Sequence, residues 1–460
     1  MEKKHYFRFF CDLLLTAIAT GMFVIAWLFF IEPYNRTTTL EGHTGMIAWL
    51  AIYIFIYVIT ARGFHAFRIG VERKSKAVAA QVITLLMTDV AEFMITLILI
   101  GQFKLLGEMI LVFFLLFVAQ SIIISLFVSL MIHFYRRIFP ALKVLEIHGD
   151  APNDLSRKVN AIPYKYHVEQ KVHFRHPELE ELIMRFDAVM INDLPSKERN
   201  ELLKFCFAND KRAYFVPKIS DILVKQSERL NLIDTPLCLN RNCGISATER
   251  IVKRAFDLIF SGLALIIASP ILGVTALAIK LNDGGPVFFR QERCTIGGKR
   301  FMILKFRSMI VDAEKDGRSH PAGEADDRIT KVGRVIRATR IDELPQIINI
   351  LKGEMSIVGP RPERVEHVLH YTEMVPEFAL RSKVKGGLTG YAQVYGKYNT
   401  TALDKIKLDL MYITNYSLLL DFQIIIETLK IIFQKESTEG FSEDRAAEMH
   451  DVSYLDRDTD

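Results

Sequence analysis

Cysteine is scarce in this chain. Its 460 residues hold five, Cys11, Cys206, Cys238, Cys243 and Cys294, an odd number with no CxxC pair. That argues against a disulfide framework or a zinc cage and fits a reducing, cytosol-facing location. Charge of one sign is also in short supply. A net charge of +5 is too small to point to nucleic acid, and no nucleic-acid partner is expected. A charged fraction of 24% beside 50% hydrophobic residues excludes a disordered or collagen-like chain. No small-residue cleavage site follows the first apolar run, which therefore reads as a span and not as a cleaved signal peptide. What the chain does have is apolar length. Mean hydropathy is +0.20, which points to a membrane portion joined to a soluble one. At about 150 residues per domain the length predicts about three modules.

The membrane signal is concentrated at the front. Stretches from about residue 13 to 31, 46 to 60, 80 to 100 and 109 to 132 are read as spans of a hydrocarbon core about 30 Å thick, the second being the shortest. Lys3, Lys4 and Arg8 precede the first span, and Arg62, Arg68, Arg73, Lys74 and Lys76 lie between the second and third. The alternate loops hold only Arg36 and Lys104, so the positive-inside rule places the N-terminus and everything after the fourth span on the cytoplasmic side. Asp89 and Glu92 share one face of the third span with no intramembrane Lys or Arg to match them. Two readings stand for this pair: an ion or proton path, or carboxyls that simply face other helices.

From residue 141 to 248 short apolar runs alternate with amphipathic stretches. Runs at 143–147, 166–172, 188–191 and 213–216 read as strands of a small βαβ sheet, a Rossmann-like cytoplasmic domain. The first strand leads into Ile147-His148-Gly149-Asp150-Ala151-Pro152, one glycine where a dinucleotide turn needs three, so no intact glycine-rich loop is present and a scaffolding or regulatory role is expected.

A further apolar stretch, Leu258 to Ile279, carries Ser269-Pro270 at its midpoint. Proline removes a backbone donor and clashes with the preceding turn, which predicts a kink there. Lys253 and Arg254 before it, and Lys280, Arg290 and Arg293 after it, favour both ends on one face. A re-entrant helix over 252–281 that breaks at Ser269-Pro270 satisfies this; an ordinary kinked span is the alternative. Ser269 is suited to bonding the carbonyls freed by the break.

Polar motifs crowd the chain after Gly284-Gly285-Pro286. Residues 287–291 and 301–306 read as strands, the second running into Lys305-Phe306-Arg307-Ser308-Met309. Arg334, Arg337 and Arg340 recur every three residues, close to one side of a helix. Asp342-Glu343 follows at once, and Asp342 reads as the N-cap of a helix with Pro345 in its first turn and Gly353 at its end. The helix dipole and the arginines are expected to lower that carboxylate's pKa. Such a group suits binding Mg²⁺ or attacking phosphorus; routine capping with surface ion pairs is the plainer alternative. In Gly359-Pro360-Arg361-Pro362 two prolines hold an arginine fork suited to phosphate oxygens.

The ordered series Lys253-Arg254…Asp257, Ser269-Pro270, Gly285-Pro286-Val287-Phe288-Phe289…Gln291…Arg293, Lys305-Phe306-Arg307-Ser308-Met309, Asp342-Glu343-Leu344-Pro345-Gln346, Gly359-Pro360-Arg361-Pro362 and Gly387-Leu388-Thr389-Gly390 resembles the bacterial sugar transferase family, the polyprenyl-phosphate sugar-1-phosphate transferases. The resemblance covers about residues 250–435, and the preceding spans and sheet domain resemble its long-form members. It implies an α plus α/β membrane protein: a four-helix transmembrane bundle (1–140), the sheet domain (141–248), a monotopic mixed α/β catalytic domain (249–440) with a re-entrant membrane helix, and an acidic tail (441–460). It implies an inner-membrane enzyme with its catalytic domain on the cytoplasmic face. That enzyme would transfer a hexose 1-phosphate from a UDP-hexose, glucose or galactose leading, to undecaprenyl phosphate with Mg²⁺ as cofactor, releasing UMP. This is the first step of exopolysaccharide, capsule or O-antigen repeat-unit assembly. By that resemblance Asp342 is the metal-linked nucleophile and Glu343 its acid/base partner. Arg361, Arg337 and, with a structural role equally open, Arg307 and Lys305 would hold substrate phosphates. Membrane lipid, a homodimer partner and polysaccharide assembly proteins are the further partners implied. Two positions depart from the family pattern: Thr295 where glycine is common, and Gly386 where proline is usual, which is expected to loosen a substrate-side loop. The competing readings are a membrane-tethered nucleotide-sugar dehydratase or epimerase, a transporter or sensor, and a scaffold without activity.

Overall fold

A segment immersed in hydrocarbon has to satisfy its own backbone hydrogen bonds, and the apolar runs here do so as helices. The structure, a computed structural model, describes all residues except 1, 32–42, 102, 151–154, 161, 226, 241–243, 312, 314–326, 397–399 and 433–460. The acidic tail and the end of the first-strand turn lie outside the described residues. The chain divides into two compact units, Met1–Val216 and Pro217–Asp460.

The first unit opens with helices α1 (Glu2–Ala26, running into a π turn at Trp27–Ile31), α2 (His43–Gly63), α3 (Lys74–Ile100) and α4 (Leu106–Ile138). Their packing inverts the soluble pattern. Phe9, Phe29, Phe55, Met94, Ile98 and Leu126 point outward, while Ala19, Ala61, Ala77 and Ala80 let the backbones approach inside. Aromatic rings fill the remaining interior, Phe23 stacking on Tyr53 at 4.2 Å and Trp27 meeting Trp49 at 4.6 Å. Gly70, at φ 77°, turns the chain between α2 and α3 where any Cβ would strike the ring of Tyr135.

The same unit continues as β1 (Leu142–His148), α5 (Leu155–Asn160), β2 (Tyr166–His173), α6 (Leu179–Arg185), β3 (Ala188–Asn192), α7 (Ser196–Ala208) and β4 (Arg212–Phe215). The four strands are parallel in the order β2-β1-β3-β4. All four expected strands are found, with ends moved by a residue or two. β3 is buried at every position, as a central strand covered on both faces must be.

The second unit starts with α8 (Ile219–Lys225) and a hairpin of β5 (Glu228–Leu232) and β6 (Thr235–Leu239). α9 (Ala247–Asp283) follows, then antiparallel β7 (Phe288–Cys294) and β8 (Arg300–Phe306), and α10 (Lys331–Ala338). A 3-10 turn at Ile341–Glu343 leads into α11 (Gln346–Lys352) and β9 (Ser356–Val358). After α12 (Val365–Met374) the chain returns as β10 (Gly387–Thr389), which pairs in parallel with β9, and closes with α13 (Tyr391–Tyr395), α14 (Ala402–Thr414) and α15 (Leu418–Ile432). Val358, Phe378, Ile406, Leu410, Ile413 and Ile424 form its main core. α15 contributes Ile424 to that core and leaves Leu419 and Leu429 exposed.

α9 begins with a capping box: Glu249 N donates to Ser246 Oγ at 3.3 Å and Ser246 N donates to Glu249 Oε2 at 2.9 Å. It ends at Gly284 in the left-handed region. Between them the chain is helical on both sides of Pro270. Pro270 cannot donate to the carbonyl of Ile266, and the Ser269 hydroxyl does so instead at 2.8 Å.

Among the described residues four helices are long and apolar enough to cross a bilayer, α1, α3, α4 and α9, and α2 contributes a shorter apolar stretch, Ile47–Gly63. The chain is a membrane protein that combines helices with small sheets.

Candidate active site

The sequence places Asp342 and Glu343 beside basic residues; the fold decides which of these they meet. α10 ends at Ala338, and Arg340 adopts φ 58°, the left-handed region that non-glycine residues seldom occupy. The chain therefore turns sharply just ahead of the dyad, and Arg340 does not share a helical face with Arg334 and Arg337. Asp342 is not a helix N-cap either. It lies inside the 3-10 turn, and Pro345 holds the capping position of α11.

Three cations converge on one oxygen of Glu343. Arg361 donates to Oε1 at 2.9 Å, Lys305 at 3.1 Å, and Arg340 stands 3.9 Å away. They come from three places: the Pro-Arg-Pro turn, the end of β8 and the turn before the dyad. Burial by itself would raise the Glu343 pKa, but Arg361, Lys305 and Arg340 together hold it far below the usual carboxylate range. Asp342 behaves oppositely. Burial first, and the neighbouring Glu343 charge second, push its pKa up, with Lys305, Arg340 and Arg337 offsetting part of the rise. The lowering expected for Asp342 thus falls on Glu343. Asp342 Oδ1 is buried and has no hydrogen-bond partner among the described residues.

The dyad's position is set from both ends of α11. Asn349 is buried in that helix; its Oδ1 accepts from Leu304 N at 3.0 Å and its Nδ2 donates to Met302 O at 2.9 Å, tying α11 to β8 and so to Lys305. At the far end Arg254 of α9 donates to the carbonyls of Ile350 and Leu351 at 2.6 and 2.8 Å. These are groups that a helix C-terminus leaves unpaired. Asp257 accepts from Ser356 Oγ and Ile357 N, both at 3.0 Å, fixing β9 as it enters the Gly359-Pro360-Arg361-Pro362 turn. Gly359 and Gly387 approach so closely that a Cβ on Gly387 would run into the Gly359 backbone. Arg381 donates to the Arg361 carbonyl at 2.9 Å and is held in turn by Asp409, also at 2.9 Å. Glu363 is paired with Lys405 at 2.9 Å and flanked by Arg381 and Arg293.

Of the residues singled out from sequence, the fold thus brings together Asp342, Glu343, Lys305 and Arg361. Arg337 acts on Asp342 through space and forms no ion pair with either carboxylate. Arg307 is elsewhere: it is buried against Asp283 at the end of α9 and packs over Gly285, where a side chain would collide with its guanidinium. Ser269 and Pro270 remain within α9. Sequence reasoning gave no site role to Arg340, Arg254 or Asp257. The Lys-Arg…Asp spacing marked the last two, but their partners lie about a hundred residues away in sequence.

The two departures from the family pattern turn out to be joined. Gly386 N donates to Thr295 Oγ1 at 3.1 Å, and that hydroxyl donates to Glu354 O at 2.9 Å. Glycine at 295 has no hydroxyl and proline at 386 has no N–H, so the usual pair is unable to form this bond. The expected loosening at Gly386 is replaced by a specific tether. Thr295→Val leaves a buried N–H and a carbonyl without partners and should lower stability by about 1–3 kcal/mol in thermal unfolding. A variant as stable as the parent would show the tether to be idle.

Residues 248–435 match the family described as bacterial sugar transferase. A UDP-glucose:undecaprenyl-phosphate glucose-1-phosphate transferase of Escherichia coli K12 is 42% identical over 220 residues, 45% of this chain and 46% of that protein. One of the same name from Caulobacter vibrioides is 43% identical over 183 residues, 38% of this chain and 68% of that protein. A UDP-N-acetylgalactosamine-undecaprenyl-phosphate N-acetylgalactosaminephosphotransferase of Aeromonas hydrophila is 37% identical over 255 residues, 54% of this chain and 59% of that protein. For the E. coli and Aeromonas proteins the match spans about half of the relative's length. A buried carboxyl dyad ringed by cations, set in a segment that aligns with these proteins, places the chain in the bacterial sugar transferase family.

Proposed function

We propose that this chain transfers a sugar 1-phosphate from a UDP-sugar to undecaprenyl phosphate and releases UMP. The observation that carries this reading is the contrast within the dyad: Glu343 is saturated by Lys305, Arg340 and Arg361, while the buried Asp342 Oδ1 beside it has no partner. A carboxylate with one unpartnered oxygen beside three cations suits attack on a phosphorus whose oxygens those cations hold. In the first step an Asp342 oxygen bonds to the sugar-bearing phosphorus, and the bond from that phosphorus to the UMP oxygen breaks. In the second, an oxygen of undecaprenyl phosphate attacks the same phosphorus and the aspartyl bond breaks. The product is undecaprenyl diphosphate sugar, and Asp342 is returned as a carboxylate. Arg361 and Lys305 are the groups placed to hold the diphosphate. Glu343, whose pKa its neighbours hold below the usual carboxylate range, gathers and orients those cations.

The residues present fit a magnesium ion. Asp342 supplies a buried, unpartnered carboxylate oxygen, and Mg²⁺ commonly takes only one or two protein carboxylates when substrate phosphates and waters complete its shell. Bound there, the ion would neutralise charge on the transferring phosphoryl group.

We also read α9 as re-entrant, with the catalytic unit on the cytoplasmic face of the inner membrane. Both ends of α9 pack on the same body, which supports this. Lys253 pairs with Asp421 at one end, and Ile279 packs with Phe306 and Ile336 at the other. Between them Ile259, Leu263, Ile266, Ile267 and Val274 are exposed apolar side chains suited to lipid. Cysteines placed at Ala247 and Gly284 should react with an impermeant thiol reagent from the same side of the membrane. Reaction from opposite sides would rule the re-entrant reading out.

The family relatives act, by their names, on different sugars. The reading is tested by UMP release from membranes given undecaprenyl phosphate, Mg²⁺ and a panel of UDP-sugars. One sugar should support release at a rate well above the others, and no release with any of them would overturn the proposal.

A further inference from the structure

The bundle of α1 to α4 contains a polar column that the sugar-phosphate chemistry does not use. Along α3 the side chains of Gln81, Thr84, Thr88, Asp89, Glu92 and Thr96 are all at most 3% exposed, and their spacing puts them toward one side of the helix. Tyr53 and Tyr57 of α2 and Gln120 of α4 are buried with them.

One half of this column is closed on itself. Tyr57 donates to Gln81 Oε1 at 3.0 Å, Gln81 Nε2 donates to Ala66 O at 3.1 Å, and the Thr60 and Thr88 hydroxyls meet at 3.0 Å. The other half is open. Gln120 Nε2 donates to the Tyr53 hydroxyl at 2.9 Å and to Ala19 O at 3.1 Å, and the Tyr53 hydroxyl lies 3.5 Å from Asp89 Oδ1. Yet Gln120 Oε1, Asp89 Oδ2, both oxygens of Glu92 and Thr96 Oγ1 are buried without any partner among the described residues. Helical rise separates Asp89 from Glu92 by about 4.5 Å and Glu92 from Thr96 by about 6 Å along the axis. Among the described residues of these four helices no Lys or Arg is buried with them.

A carboxylate in low dielectric with no cation beside it is expensive, and a bundle that needed only packing would place leucine there. The unpartnered atoms of Asp89, Glu92, Thr96 and Gln120 are all oxygens, two carboxyls, an amide carbonyl and a hydroxyl, which is the donor chemistry of a hard cation. We propose that Asp89, Glu92, Thr96 and Gln120 form a binding site for a small monovalent cation, a proton or an alkali ion, inside the membrane bundle. The other titratable group beside it is Tyr53 of α2, whose ring stacks on that of Tyr57. α4 presents no titratable group, since none lies between Met109 and Ile132. The site belongs to a different unit from the dyad and stands whether or not the proposed transferase reading holds.

Thermal unfolding of the full-length protein in lipid nanodiscs tests this, with Glu92→Gln and Asp89→Asn as neutral near-isosteres. Sodium chloride replaces choline chloride at constant ionic strength in one arm, and pH is varied from about 6 to about 9 in the other. If the occupant is sodium, Na⁺ raises the parent's Tm by several degrees, as expected for a ligand near a hundred times its Kd that binds only the folded form. Each neutral variant loses that shift. Thr96→Val, which keeps both carboxyls, then raises the Na⁺ midpoint about tenfold by removing one donor. If the occupant is a proton, Na⁺ and choline are equivalent and the parent's Tm falls as pH rises, while the neutral variants stay flat. Parent and variants that respond alike to both Na⁺ and pH would overturn the proposal. UMP release by folded Glu92→Gln should match the parent.

Discussion

Asp342→Asn should reduce UMP release by at least about a thousandfold, the scale seen when a nucleophile that works as part of a unit is removed. The fold should survive. The asparagine has the same shape, and Asp342 Oδ1 makes no hydrogen bond that the change would break. Its amide merely lacks the charge and nucleophilicity that attack on phosphorus needs. Glu343→Gln is a different experiment, because it removes the charge on which Lys305, Arg340 and Arg361 converge. Activity and local order should fall together in that variant. The two roles are separated by trapping: with UDP-sugar and no lipid acceptor, mass spectrometry should find a phosphosugar on Asp342 in the parent and none in Asp342→Asn. Turnover of Asp342→Asn within tenfold of the parent would remove the aspartyl step from the mechanism.

Lys253→Met should destabilise the second unit by about 3–5 kcal/mol, the usual cost of stranding one member of a buried ion pair. Lys253 Nζ lies 2.5 Å from Asp421 Oδ2, and the Asp421 side chain is wholly buried. Burial pushes the Asp421 pKa up, and Lys253 and the Tyr412 hydroxyl, which donates to Asp421 Oδ1 at 2.8 Å, bring it part of the way back. Without Lys253 the carboxyl has Tyr412 alone. The double variant Lys253→Met with Asp421→Leu replaces charge by packing and should recover most of the loss, since a well-packed apolar pair often equals a buried ionic one. Denaturant unfolding of the four proteins reads the coupling directly. Additive losses in the double variant would mean that the pair does not act as a pair.

This ion pair also explains a limit on sequence reasoning. The Lys253-Arg254…Asp257 spacing is visible at the start of α9, but Asp421 is 168 positions further on. Nothing local distinguishes it from the other acids of the last helices. The same holds for the dyad. Its existence, the Pro-Arg-Pro turn and the arginine run were legible as residues, whereas the assignment of partners was not. Arg340 looked like one more member of a helical stripe until its left-handed backbone turned it toward Glu343. Arg307, equally basic and two residues beyond Lys305, faces another way and is buried against Asp283. Strand alternation explains their common side but not the end of the strand, where the chain leaves the sheet after Phe306. The joined departures at Thr295 and Gly386 were each visible alone, and their hydrogen bond was not.

The amino-acid order by itself determined where helices, strands and apolar runs lie, because run length, side-chain period, glycine and proline act over a few neighbouring residues. It settled the four strands of the parallel sheet and the apolar character of α1, α3, α4 and α9. Only the tertiary structure decided which charges meet. Electrostatic partners are selected by how distant elements pack and by how much water that packing excludes. That is why Glu343 is held ionised while its neighbour Asp342, one residue away, is left with an unpartnered oxygen.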